Sequence, residues 1–206
     1  MDEARSVRDY WFGRLPLSAD ALESRLRFWF ADDGADAQRE RDAEIRARFG
    51  ALSERAVGGE LADWADGPRG RLSLIILLDQ FPRNMFRGTA RAFAGDARAL
   101  ALALSGMQSA ADAALDVVER LFFYIPLQHA ENHEAQEESI AAYRRLVNEA
   151  PAELRPAFVD SLQWAEKHRA IIERFGRFPA RNAALGRAST SEEQQWLATE
   201  GETFGQ

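Results

Sequence analysis

The apolar positions along this chain recur at helical spacing almost everywhere. Leu22, Leu26 and Trp29 share one face behind Ser18, a residue suited to cap a helix N-terminus. Ile45, Phe49, Leu52 and Ala56 form a second stripe, which Gly58-Gly59 should close. Leu72, Leu74, Ile75, Ile76, Leu77 and Leu78 are apolar on every side, so their helix belongs at the centre and should end at Pro82. Further helices are predicted over 89–105, stopped by Gly106, over 115–124, broken by Pro126, and through Gln136, Ile140, Tyr143 and Val147. Phe158, Leu162, Ala165 and Ile172 mark another that ends at Gly176, and Thr190 with Glu193 reads as the capping box of the last. Strand-type alternation and hairpin turns are missing. The prediction is an all-α chain of about nine short antiparallel helices in a bundle or short solenoid. No composition break divides residues 1–206, so a single domain is expected.

Composition narrows the partners. Charged residues make up 29% of the chain and the net charge is −7. Phosphate backbones and anionic lipid surfaces need a concentrated basic face, so neither nucleic acid nor a membrane is expected as partner. With no cysteine there is no disulfide, no thiol nucleophile and no Cys-ligated zinc. The first residues have no apolar run like that of a signal peptide, and Leu72–Leu78 is too short to span a bilayer, which points to the cytoplasm. Lys167 is the single lysine among 26 basic residues, so arginine is frequent here for reasons of usage as well as chemistry.

One pattern occurs twice. Phe81-Pro82-Arg83-Asn84, followed by Arg87-Gly88, has its counterpart in Phe178-Pro179-Ala180-Arg181-Asn182, followed by Gly186-Arg187. Each copy follows a strongly helical stretch and places many hydrogen-bond donors at the corner where that helix should stop. Facing corners of this kind make either an anion site or a polar lock. In the first reading Arg83, Arg177 and Arg181 hold a carboxylate or phosphate through forked bonds, and Asn84 and Asn182 orient it. In the second, Arg83 and Arg181 bond open helix carbonyls and pair with Asp79, Asp96 or Glu131.

Histidine supplies the rest of the candidate chemistry. At about 100° per residue His129, His133 and Gln136 share the face of Ile140 and Tyr143, so a helix beginning by His129 would turn them inward and make a polar cavity at its N-terminal end. Two histidines four apart can hold a metal, but Ala130 stands where a protease-type motif needs glutamate, and no metal site is assigned. His168 borders the stripe of its own helix. The candidate acid–base groups are therefore His129 and His168, with Glu131 or Asp79 as orienting carboxylate. Arg83, Asn84, Arg177, Arg181, Asn182 and Gln136 are the candidate ligand contacts. No phosphate-cradling glycine loop or nucleophile elbow is present, so no cofactor is assigned and the oligomeric state is left open. Trp11-Phe12 and Trp29-Phe30 read as packing anchors.

Together these residues resemble a family. Trp11-Phe12-Gly13, Trp29-Phe30, the run Leu74 to Asn84, Arg87-Gly88, Pro126, His129, Glu131, Gln136, and His168 through Arg181-Asn182 to Gly186-Arg187 are similar to the bacterial domain-of-unknown-function 924 family, from about Val7 to Phe204. The resemblance implies one all-helical domain of tetratricopeptide-like fold, with no established activity. A peptide-binding scaffold is then the alternative to a small anionic ligand. The family pattern commonly has histidine at Ala180 and His-Ser-Glu at His129-Ala130-Glu131. This departure counts against a histidine-rich metal centre more than against an arginine-based anion site.

Overall fold

The computed structural model describes residues 2–30 and 34–201. Phe204, the far end of the resemblance, lies outside them. The described residues are helical without strands and contain nine α-helices. These are α1 (Glu3–Phe12), α2 (Ala19–Phe30), α3 (Ala35–Gly58), α4, α5 (Asp96–Gln108), α6 (Val117–His129), α7 (His133–Glu149), α8 (Arg155–Phe175) and α9 (Ser191–Thr199). Helix α4 has three parts: Pro68–Ile75, a π turn at Ile76–Gln80, and a last α-helical turn at Phe81–Met85. Short 3₁₀ turns at Ala62–Asp66, Ala90–Phe93, Asp112–Ala114 and Pro179–Arg181 link them.

The punctuation signals act as their chemistry requires. The Ser18 hydroxyl accepts the Ala21 N–H, and Thr190 with Glu193 closes a reciprocal capping box on α9. Gly59 and Gly176 stop α3 and α8 at φ of 87° and 68°, a region that costs other residues strain. Residues 72–78 are buried at the centre, where α4 packs against α1, α3, α5 and α6. Trp11, Phe12, Trp29, Phe81 and Phe122 interlock around them in edge-to-face pairs, and the Trp29 indole N–H donates to the Trp11 carbonyl at 2.8 Å. Phe30 departs from the expected core, being 56% exposed. A second, smaller apolar cluster of Ile171, Ile172, Phe178 and Trp196 ties α8, the second corner and α9 together.

Five predicted boundaries move. Helix α4 does not end at Pro82. The Phe81 N–H reaches back five residues to the Ile76 carbonyl, and the widened turn admits the proline ring without a break. Pro82 offers no N–H to the Leu78 carbonyl four residues earlier, and that carbonyl packs against Gly95, where a Cβ would lie 2.3 Å from its oxygen. Helix α5 begins at Asp96 rather than Thr89, because Thr89–Gly95 turns tightly around that contact. It continues through Gly106, whose missing side chain leaves room for the Phe123 ring. Helix α6 runs through Pro126 to His129, and the Tyr143 hydroxyl of α7 donates to the Leu121 carbonyl just before the distorted turn. Finally, His129 and His133 do not share a helix. His129 ends α6, Asn132 caps α7 through the Ala135 N–H, and His133 is exposed at the first position of α7.

Candidate functional site

The π turn of α4 sets the centre of the site. It carries Asp79 into the interior, where the residue has no exposed surface. Both Asp79 carboxylate oxygens lie within bonding distance of the His129 Nδ1, at 2.8 and 3.0 Å. A carboxylate only accepts, so Nδ1 carries a proton and Nε2 a lone pair. Four residues after Asp79, Arg83 donates to its backbone carbonyl at 2.8 Å and lies 3.3 Å from its carboxylate. The same guanidinium forks onto Asp96, at the start of α5, through two bonds of 2.8 Å.

The two corners meet at Asp96. Arg181, from the 3₁₀ turn of the second corner, approaches Asp96 Oδ2 at 3.5 Å and donates to the His129 carbonyl at 2.9 Å, the exposed end of α6. It packs between the Phe93 and Phe178 rings, at 5.0 and 4.4 Å from their centroids. Arg181 is 4% exposed, and its Nε is buried without an acceptor. His168, buried on α8, donates from Nδ1 to the Trp164 carbonyl at 2.7 Å. Its ring centroid lies 6.2 Å from that of His129 and 5.6 Å from that of Phe178.

Charge and burial fix the protonation states. Burial by itself raises the Asp79 carboxyl, but Arg83 and the His129 contact outweigh it and hold the group well below the usual carboxylate range. Burial, with Arg83 beside it, lowers the His129 imidazole and keeps it neutral. Burial and the neighbouring His129 push His168 down to about 3. Arg181 is lowered to about 10 by burial and then by Arg83, against the opposite pull of Asp96, Glu131 and Asp79. The site therefore presents neutral imidazoles beside two guanidiniums.

The remaining candidates support this group from outside. Glu131 accepts the Phe178 N–H at 2.8 Å and both arms of Arg187 at 2.6 and 2.9 Å; burial raises its carboxyl, and Arg187 more than reverses this. It holds the second corner in place rather than facing the imidazoles. Arg177 forks onto Glu193, which also takes the Asn182 amide and the Thr190 N–H. Asn84 donates to Asp42 of α3, as does Arg87, on the opposite side of the first corner from Arg83. Gln136 is fully buried, and its amide donates to the Gln128 and Ala130 carbonyls at 2.8 Å and to that of Leu127 at 3.3 Å, closing the C-terminus of α6. The structure thus gathers Asp79, Arg83, Asp96, His129, His168 and Arg181, and places Asn84, Arg177, Asn182 and Gln136 in the surrounding frame. These contacts of Arg83 and Arg181 are the kind that a polar lock would use.

Sequence reasoning did not find Asp42, Phe93 or Gly95. Asp42 carried a weak signal, as an acid one turn before the apolar stripe of α3. Gly95 carried another, as a glycine directly before an acidic helix start. Among the described residues no group of three or more histidine or acidic side chains is placed to hold a metal, and no helix is long and apolar enough to cross a membrane.

The model of one family, described as bacterial protein of unknown function (DUF924), matches residues 7–201, and the chain belongs to that family. A solved structure, that of the protein of unknown function ATU0120 from Agrobacterium tumefaciens, is similar at a TM-score of 0.69 and 36% identity, over 87% of this chain and 98% of that one. No curated protein matches.

Proposed function

We propose that this DUF924 member binds a small anionic molecule beside Arg181, with His129 as the acid–base group of the site. The observation that carries this reading is the state of Arg181. It is almost wholly buried, yet the carboxylate nearest to it is already forked by Arg83 and reaches it through a single 3.5 Å contact. A buried guanidinium short of counter-charge is completed by an anion at small desolvation cost, because the cation has already left water. His129 stands next to it, oriented by Asp79 in the manner of a general base, with Nε2 able to take a proton. In this reading Arg83 and Asp79 are positioning residues, and Glu131, Arg177, Asn84, Asn182 and Gln136 keep the corners rigid. The protein would act in the cytoplasm as one domain, as an enzyme if the bound molecule also gives His129 a proton.

A second reading has its own observation. Arg181 and Gln136 both bond carbonyls at the C-terminus of α6, and Asp42, Asp96, Glu131 and Glu193 each join separate segments. That is the work of a polar lock inside a tetratricopeptide-like scaffold for a peptide partner.

Thermal unfolding against carboxylates, phosphorylated metabolites and nucleotides separates the two. A ligand at one hundred times its Kd stabilises by about 2.7 kcal/mol, a rise of several degrees for a chain of this size. The rise should vanish in Arg181→Lys, which keeps the charge and loses the fork, and persist in Arg177→Lys. A flat panel, or a rise that survives Arg181→Lys, overturns the anion site; a flat panel together with strong Asp96–Arg181 coupling in a double-mutant cycle assigns the lock.

A further inference from the structure

Two rings pack against the Arg181 guanidinium, and they are held very differently. Phe178 is buried in the apolar cluster of Ile171, Ile172 and Trp196, with its N–H bonded to Glu131 and its carbonyl to Arg187. Phe93 is half-buried on the Ala90–Phe93 turn, and among the described residues it joins neither apolar cluster. Instead its ring lies against both guanidiniums, 5.0 Å from the Arg181 Cζ and 5.5 Å from the Arg83 Cζ. Those two side chains are only 5% and 12% exposed, and the Nε of each is buried without an acceptor. A ring that adds to no core, yet lies over two buried cations, is placed as a cover rather than as an anchor.

The segment that carries this ring has the make-up of a strap, running from Gly88 to Gly95. Gly88 is exposed at a φ of 69°, with nothing within 4 Å of where a Cβ would stand, so this end is free to swing. Gly95 is wedged against the Leu78 carbonyl and fixes the other end. Between them Thr89, Ala90, Arg91 and Ala94 are exposed, and only Ala92 is buried. The backbone bonds are local: the Thr89 N–H to the Phe86 carbonyl, that of Ala92 to Thr89, and that of Ala94 to Arg91. An ion pair of Arg91 with Glu54 ties the strap to α3, and both of its side chains are well exposed. Few buried contacts and purely local bonds mark a segment that opens without unfolding the rest. We propose that Phe93 is the cover of the Arg83–Arg181 pair, and that the strap Gly88–Gly95 lifts it to admit the anion. The inference rests on the anion reading above and supplies its entry route. Phe178, the His129 carbonyl and Asp96 close other approaches to Arg181 with groups held in the packed interior. An anion lying under the returned ring would be shielded from water, where its attraction to the guanidinium is strongest.

The test measures access to the two guanidiniums directly. The full chain is treated with phenylglyoxal, which attacks accessible arginines, and each arginine is followed by mass spectrometry. In the wild type Arg83 and Arg181 should react slowly. Their rate should hardly change as urea is raised to the foot of the unfolding transition, because lifting a strap exposes little surface. Phe93→Ala should speed both at least about tenfold and leave Arg177, which is forked onto Glu193 outside the cluster, unchanged. If that variant does not fold, Glu54→Gln frees the outer tie of the strap and should speed both about threefold. A wild-type rate that climbs with the full urea slope of global unfolding overturns the proposal, and so does an unchanged rate in the folded variant. Inorganic phosphate and acetate are then added to the wild type. Protection of Arg181 by either supports the cover and the anion site together. Reaction that is independent of urea and faster in Phe93→Ala, with no protection and a flat metabolite panel, removes the anion site and leaves the cover standing.

Discussion

Acid sensitivity offers the sharpest test of the electrostatics at the cluster. His168 has a pKa of about 3 in the folded chain against 6.5 for the free side chain, because burial and the neighbouring His129 disfavour its charged form. Below pH 6.5 the unfolded chain therefore binds a proton that the folded chain refuses. With more protons on the unfolded state, stability rises with pH, so it must fall as the solution is acidified, from pH 6.5 down to about 3. Each pH unit is worth about 1.36 kcal/mol per proton, and the whole span sets a ceiling of about 5 kcal/mol for this one side chain. His129 is lowered in the same direction, so it adds to the wild-type slope below pH 6.5. The lowered carboxyls of Asp79, Glu131 and Glu193 add to the loss as the pH nears their unfolded values, so the histidine slope is read above about pH 5. Urea unfolding followed by tryptophan fluorescence at half-unit steps from pH 7.5 to 4.5 would read the slope directly. His168→Gln cannot titrate and should flatten it by one proton, whatever its stability at pH 7.5. A wild-type stability that is constant from pH 7 to 5, or a slope unchanged in His168→Gln, would refute the neutral, buried imidazole on which the site depends.

Two further perturbations address the frame and the charge. Gly95→Ala places a Cβ 2.3 Å from the Leu78 oxygen, against rigid backbone and at an ordinary φ of −94°, so it should cost about 1–3 kcal/mol from collision alone. Gly50→Ala, the same change inside α3 with only the Met85 sulfur at 3.9 Å, should instead stabilise by about 1 kcal/mol; denaturant midpoints compare the two directly. Asp96→Asn removes the carboxylate shared by Arg83 and Arg181 and should cost about 2–4 kcal/mol. It should also tighten inorganic phosphate binding severalfold in calorimetric titration, because Asp96 then no longer competes for Arg181.

Much of this was legible in the chain because it rests on short-range rules. Caps at Ser18 and Thr190, stops at Gly59 and Gly176, and the buried run 72–78 follow from propensity and spacing, and the structure places them accordingly. The recurrence of Phe-Pro and Arg-Asn marked the two corners, which do converge. The inferences from proline failed, as did the stop at Gly106. Pro82 and Pro126 stop isolated helices, yet here each lies inside one, because tertiary neighbours accommodate the distortion: Gly95 receives the Leu78 carbonyl, and Tyr143 bonds the Leu121 carbonyl. The same misreading put His133 inside. Once α6 is allowed past Pro126, His129 ends it and the next helix must start afresh at His133. The choice of partner for each arginine was likewise beyond local rules. Arg83 and Asp96 are thirteen residues apart and Arg181 and Asp96 eighty-five, and only the packed helices bring them together.

The proline is also what gives the site its place. A regular α-helix through residues 76–82 would carry Asp79 about 100° further round for each residue, with no slack to admit the proline. The π turn inserts that slack at one point and leaves Asp79, Gln80 and Arg83 on a widened surface where backbone and side chains can both be reached. Arg83 uses this at once, bonding the Asp79 carbonyl as well as two carboxylates. The first corner is therefore not a helix end decorated with donors, as its sequence suggests. It is a helix interior opened by Pro82, with Gly95 admitted to the gap and Asp96 carried in behind it. The second corner is a true helix end, where Gly176 stops α8 and Pro179 starts a single 3₁₀ turn. Similar residues reach the same carboxylate by two different backbone routes, and this argues that convergence on Asp96, rather than repetition of a structural unit, is what the two motifs have in common.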